Sequence, residues 1–357
     1  MLAAALFATS VYVVVLADGS TRASAVDDAT APRMLGVFGD SMVLQHDEPL
    51  LHGCGAAPHA KIAALIKPGP AGSADEVVRV VADQIGCFLL SLATRPVMTS
   101  AASEAVAISV KISTGNASSP FFARARGVLY GHQILCGGQS NMVHQLSYDY
   151  NATSQVAAAK LLPNLRLFQV GRQWSNDDGA TLPLACNSNE TMPPIRGVGC
   201  DVDGQGCAPH NVWRSAAHDL TPNGTAASFS AVCYLTAQEL MRTQLGTTAA
   251  VGLVEADWGG SNEAAWQTRA VAIARGCPAV ADLDDSCPLT TKSGLSPIRS
   301  NNWGCLYHGM IEPLTRSLRP MLALWYQGEA NSNDPPDTYQ CQLESLVAEW
   351  RGAFNRR

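Results

Sequence analysis

Gly127 to Met142 reads GVLYGHQILCGGQSNM. Its first ten residues form a short apolar run of the kind a buried strand makes. Two glycines follow, then Ser140 between the amides Gln139 and Asn141. A strand that ends in Gly-Gly and one hydroxyl predicts a sharp strand-to-helix turn, with the hydroxyl held at the helix start.

Working outward from that turn, strands and helices alternate. LRLFQV (165–170), AAVGLVEA (249–256) and MLALWYQGEA (321–330) read as strands. SFSAVCYLTAQELMRTQLG (228–246), NEAAWQTRAVAIARG (262–276) and DTYQCQLESLVAEWRGAF (337–354) read as helices. Such alternation predicts a parallel sheet flanked by helices, an α/β fold. Ligands of such sheets sit at the carboxyl ends of the strands. Three Gly-rich segments fall there: CGGQSN, DWGGSN and QGEAN.

Upstream, from Ala31 to Ala125, the pattern is different. KIAALI, EVVRVVA, CFLLSLA and AVAISVKI are short runs broken by Gly, Pro and Asp, and predict a β-rich N-terminal domain over 31–125. The α/β domain is then expected over 126–357. An irregular insertion rich in Asn, Asp, Gly, Pro and Cys is expected at about 174–227.

The 357 residues suffice for one large or two ordinary domains. With 47% hydrophobic and 15% charged residues the chain is of globular composition. A net charge of -6 gives no reason to expect nucleic acid or an anionic membrane as partner. Leu2 to Ala17 is almost wholly apolar, too short for a span of about 20 residues, and Ala23-Ser24-Ala25 follows as a small-residue cleavage pattern. The reading is a signal peptide over 1–25, with a retained anchor or a plain buried segment as alternatives. Sequons at Asn116, Asn151, Asn189 and Asn223 agree with a secreted or lysosomal chain. So do eleven cysteines, among them Cys186, Cys200 and Cys207 in one loop and Cys277 and Cys287 in another. No C-x-x-C pair occurs, so no metal site is expected.

Ser140 has two readings. At a helix N-terminus, the dipole and backbone N–H groups would stabilise an alkoxide or a tetrahedral oxyanion. Spacing by itself favours the plainer reading, an N-cap serine. The motif is not G-x-S-x-G, since Met142 stands at the second glycine. Gly259 and Gly260 could bring a bare N–H to a substrate oxygen, or form an ordinary turn. Gln327, Glu329 and Asn331 cluster after the third strand, where a side-chain amide could donate to an oxyanion. Gly39-Asp40-Ser41 is a decoy, because it lies in the β-rich region without a following βα pattern.

Taken together, these segments resemble the sialate O-acetylesterase family, with the wider SGNH-type carbohydrate esterases behind it. FGDSMVLQHDEPL, GVLYGHQILCGGQSNM, FSAVCYLTAQEL, GLVEADWGGSNEAAW, LYHGMIEPL and LWYQGEAN resemble the family's blocks in order. The resemblance implies an SGNH-hydrolase-like sheet and a serine esterase that removes O-acetyl groups from sugars, without cofactor or metal. It makes Ser140 the nucleophile. It gives the oxyanion hole to the N–H of Ser140 and of Gly259 or Gly260, with the Gln327 side chain. Gln139, Asn141, Glu329 and Asn331 would support the site.

One departure matters. The family places its base on a D-x-x-H loop after the QGE block, and none of the eight histidines here has Asp three residues before it. The expectation is a chain lacking the base and the last layer of the sheet domain. His144, four residues after Ser140, could stand in as base but is expected as a pocket-wall or capping residue, and His308 as a structural or substrate-side group. The alternatives are an acetyl-sugar-binding protein that hydrolyses nothing, and an acetylesterase of plant polysaccharide.

Overall fold

The computed structural model describes residues 31–68, 74–100, 104–113, 120–175, 198–200, 211–221, 225–278, 283, 287 and 301–354. The segment 1–25 read as a signal peptide, Asn116, Asn189, Asn223, Cys186 and Cys207 lie outside them, as does most of 174–227.

Fourteen strands are present among these residues. They are β1 Arg33–Met34, β2 Val43–Gln45, β3 Leu50–Cys54, β4 Lys61–Lys67, β5 Glu76–Val81, β6 Phe88–Ser91, β7 Val106–Ile112 and β8 Phe121–Gly138, then β9 Leu165–Gln169, β10 Gln173–Ser175, β11 Val198–Cys200, β12 Trp213–Ser215, β13 Val251–Asp257 and β14 Leu322–Tyr326. The helices that matter below are α1 Ser140–Val143, α2 Ala152–Ala158, α3 Ala216–Asp219, α4 Ala231–Leu240, α5 Arg269–Ala274 and α6 Pro336–Ala353.

The sheet is organised by β8. This strand is 18 residues long, where the sequence suggested ten. Its first half pairs antiparallel with β7, which continues into β4 and β5. Leu129 to Gly131 pair with β2. From His132 to Gly138 it runs parallel to β13, and from Ile134 to Gly138 parallel to β14. Beyond β13 come β9, parallel, and β12, antiparallel. The sheet is therefore mixed rather than all parallel. The expected division at residues 125 and 126 falls inside β8, so one strand serves both regions. A small second sheet, β1-β3-β6, packs beside them.

The parallel part carries apolar side chains on both faces, as expected of buried parallel strands. Ile134, Cys136 and Leu253 face a core shared with Cys233, Tyr234 and Ala237 of α4. Leu135, Val254 and Ala256 face the opposite core, with Trp266, Leu346 and Trp350. Disulfides tie helices to this sheet and to one another: Cys136–Cys233 joins β8 to α4, and Cys277–Cys341 joins the end of α5 to α6. Cys287 pairs with Cys305 and Cys54 with Cys87. Among the described residues no helix is long and apolar enough to cross a membrane.

The helix expected over 262–276 is broken. Glu263–Trp266 forms a 3-10 turn and Arg269–Ala274 a separate helix. Between them, the Gln267 side chain bonds Glu263 Oε1 and the Gln342 carbonyl, while Thr268 donates to Glu349. These tertiary bonds hold Gln267 extended and override the local helical pattern.

Candidate active site

Three parallel strands end together. Register pairs Gly138 with Asp257 on one side and with Tyr326 on the other. CGGQSN, DWGGSN and QGEAN thus meet at one edge. Gly138 is obligatory: its φ is +142°, and a Cβ there would lie 2.1 Å from the Tyr326 carbonyl oxygen. No other residue lets β8 and β14 approach so closely.

The chain leaves Gly138 through buried Gln139 and reaches Ser140, which is exposed and opens α1. At four residues, α1 supplies only a weak dipole, so the expected help from a helix N-terminus reduces to individual N–H groups. Gly259 stands beside Ser140: a methyl built on it would lie 4.0 Å from the Ser140 Cα and Cβ. Among the described residues, no acceptor pairs with the backbone N–H of Ser140 or Gly259.

Beneath the serine lies a polar network. Gln139 Oε1 accepts from the Ala330 N–H at 3.0 Å, the Gly328 N–H at 3.4 Å and Gln327 Nε2 at 3.0 Å. Asn141 Nδ2 donates to Glu329. Asn331 Oδ1 accepts from the Glu263 N–H at 3.0 Å and Gln327 Nε2 at 2.6 Å, and its Nδ2 donates to Asp334 at 2.7 Å. Gln139, Asn141, Glu329 and Asn331 therefore hold the serine turn against the loop after β14.

Gln327 differs from its expected role. Its Nε2 faces three acceptors, Gln139 Oε1, Asn331 Oδ1 and the Ser261 carbonyl. Two N–H bonds among three acceptors leave no donor for an oxyanion. Its Oε1 lies 3.1 Å from the Tyr339 hydroxyl, which also stands 3.0 Å from the Gln327 backbone carbonyl. Gly260 is exposed with φ +76°, and its carbonyl accepts from Asn301.

The histidines lie elsewhere. α1 ends at Val143, and His144 leaves the helix with ψ 113°, its ring tilted against Tyr148 at 6.3 Å. The helical i,i+4 relation to Ser140 is thereby lost. His308 binds Glu312 at 2.6 Å and lines a separate cavity of about 440 Å³ with Thr268, Ile273 and Trp303. His46 and His132 stack edge to face, and His210 lies outside the described residues. Among the described residues no imidazole is hydrogen-bonded to Ser140. The decoy Ser41 is tied by its N–H to the Arg126 carbonyl. Twelve residues of β8, about 40 Å of strand, separate that point from Gly138.

Sequence reasoning missed a set of buried acids. Glu255 and Asp257, on one face of β13, are both buried. Burial raises the Glu255 pKa strongly, and the Asp257 charge raises it further. Burial also raises that of Asp257, against the opposing pull of Arg172 at 3.7 Å. Glu255 accepts from the Ser230 N–H at the start of α4 and from Gln169. Glu263, fully buried, is pushed up to about 8 by burial, against the bond from Gln267. The signal was present: Glu255 and Asp257 interrupt an apolar strand two residues apart.

No family model matches the chain. The sialate O-acetylesterase of Mus musculus is 25% identical over 66% of this chain and 41% of its own length. That of Homo sapiens is 27% identical over 66% of this chain and 38% of its own. Among solved structures, a carbohydrate acetylesterase from Xanthomonas citri superposes with a TM-score of 0.61 at 25% identity, covering 91% of this chain and 58% of that one. The chain is thus similar in fold to a carbohydrate acetylesterase and in sequence to sialate O-acetylesterases. It spans about two fifths of the length of the curated relatives it matches.

Proposed function

We propose that this chain hydrolyses O-acetyl esters of sugars, on an SGNH-type sheet, with Ser140 as nucleophile. The observation that carries the reading is an exposed serine at the meeting of three parallel strand ends, beside Gly259, on a turn fixed by Gln139. The Ser140 Oγ attacks the acetyl carbonyl, and the backbone N–H groups of Ser140 and Gly259 receive the oxyanion. The ester C–O bond breaks, and the sugar hydroxyl leaves with a proton. Water then attacks the acetyl-serine, freeing acetate and restoring the hydroxyl. The relatives' names point to sialic acid as the sugar; an acetylated plant polysaccharide fits the same acetyl site.

A second reading rests on one observation, the lack of an imidazole bonded to Ser140 among the described residues. In that reading the cleft binds acetylated sugar and hydrolyses nothing. Acetate release from O-acetylated sialic acid and from acetylated plant polysaccharide, by the chain and its Ser140→Ala variant, separates the two. Activity lost in the variant supports the esterase. Equal activity in both removes Ser140 as nucleophile. Binding without release in both supports the second reading.

We further infer passage through an oxidising route to a secreted or lysosomal location. Four disulfides among the described residues and the exposed sequon Asn151 support this. A chain from a eukaryotic host whose mass does not change on glycosidase treatment counts against it.

A further inference from the structure

Away from the serine, the small sheet holds a second cluster of reactive side chains. His52 and Cys54 are two residues apart on β3, and so project from the same face. Cys87 stands across from them, just ahead of β6. Nε2 of His52 lies 3.7 Å from Sγ of Cys54. One ligand atom from each of His52, Cys54 and Cys87 lies within 4.8 Å of the other two, and all three residues are buried. Among the described residues, the other ring nitrogen of His52, Nδ1, has no hydrogen-bond partner. A hydrophobic cluster needs no imidazole there.

In this structure the two sulfurs form a disulfide, and a metal ion needs thiolates. Reduction would leave a Cys2His donor set, which suits soft divalent ions. Two thiolates offset the ion's double charge, so the complex is neutral and tolerates burial.

We propose that His52, Cys54 and Cys87 form a redox-gated metal site: a disulfide staple when oxidised, a site for one thiophilic divalent ion of the zinc class when reduced. A dithiol supplies the two electrons. Its two S–H groups become a disulfide, the Cys54–Cys87 bond breaks, and each cysteine gains a proton. Metal binding releases those two protons and forms two sulfur–metal bonds and one nitrogen–metal bond, with water completing the coordination. Access is over β1, a two-residue edge strand paired to Gly53 and Cys54, whose few bonds make local opening easy.

The test uses the full chain, reduced with a dithiol that is then removed, and titrated anaerobically with Cd²⁺ against a competing chelator. The readout is thiolate-to-metal absorption. Other bridges also release thiols, so the decisive variant is His52→Gln, which keeps every cysteine. The expected result is one Cd²⁺ per chain more than in the Cys54→Ser, Cys87→Ser double variant, that ion being held about tenfold or more tightly than in His52→Gln. Equal affinity in the chain and His52→Gln overturns the proposal, and so does unchanged stoichiometry in a folded double variant. Should the double variant unfold, the His52→Gln comparison decides by itself.

Discussion

The two ends of β8 are one strand in two environments. From Phe121 to Gly127 it is half in water, with Arg124 and Arg126 exposed and, among the described residues, one partner strand, β7, whose register shifts twice. From His132 to Gly138 it is sealed between β13 and β14, with almost every residue buried. The exposed end tolerates charge and irregular pairing because water satisfies what the ladder does not. The sealed end does not, and there the chain needs a glycine, a polar network and buried acids to stop and turn. Chemistry gathers where stopping is hardest.

The sharpest break between the ends is functional. Ser140→Ala should lower acetate release about 10³-fold or more and leave unfolding unchanged, since its hydroxyl is exposed. A matching loss of stability would mean that the hydroxyl holds the turn; it would not make Ser140 the N-cap, since Gln139 occupies that place.

Titration should separate them next. At the site end Glu263 is buried with its pKa raised to about 8. Unfolded, it ionises near pH 4.3. Below that both states hold the proton and nothing is lost. Between about pH 4 and 8 the unfolded chain releases it and the folded chain keeps it, so stability falls as pH rises. The accumulated cost is on the order of 4 kcal/mol at pH 8. Glu263→Gln should remove this decline, as denaturant melts at pH 5 and pH 8 would show. Parallel pH curves for the two proteins would refute the assignment.

A pair of glycines gives the smallest contrast. Gly138→Ala forces a Cβ onto the Tyr326 carbonyl and should cost about 3 kcal/mol of unfolding free energy. Gly127, at the other end, has φ +65° but its nearest neighbour, Ser41 Oγ, is 3.5 Å from a built Cβ. Gly127→Ala should cost only about 1 kcal/mol. Equal losses would mean that close approach between β8 and β14 is not what Gly138 provides.

Much of this was legible from local pattern. The strands at 165–170, 249–256 and 321–330 appear within a few residues of where apolar runs put them, and α6 fills the span read for it. Other features were not. The break at Gln267 and Thr268 depends on Gln342, 75 residues from the first, and Glu349, 81 from the second. Gln327 reads as a donor aimed at a substrate, but Gln139, 188 residues earlier, takes up its amide. Cys277 and Cys287 were read only as neighbours in one loop, and they bond Cys341 and Cys305.

By itself, then, the order of residues determined which segments become strands, which loops carry the polar groups, and that Ser140 follows a buried strand. Periodicity and glycine placement act within a few residues, so they can be read in line. Tertiary structure decided which amide is spent, which histidine faces what, and which carboxyls keep their protons. Each of those depends on a partner brought from elsewhere in the chain and on the water that its arrival excludes.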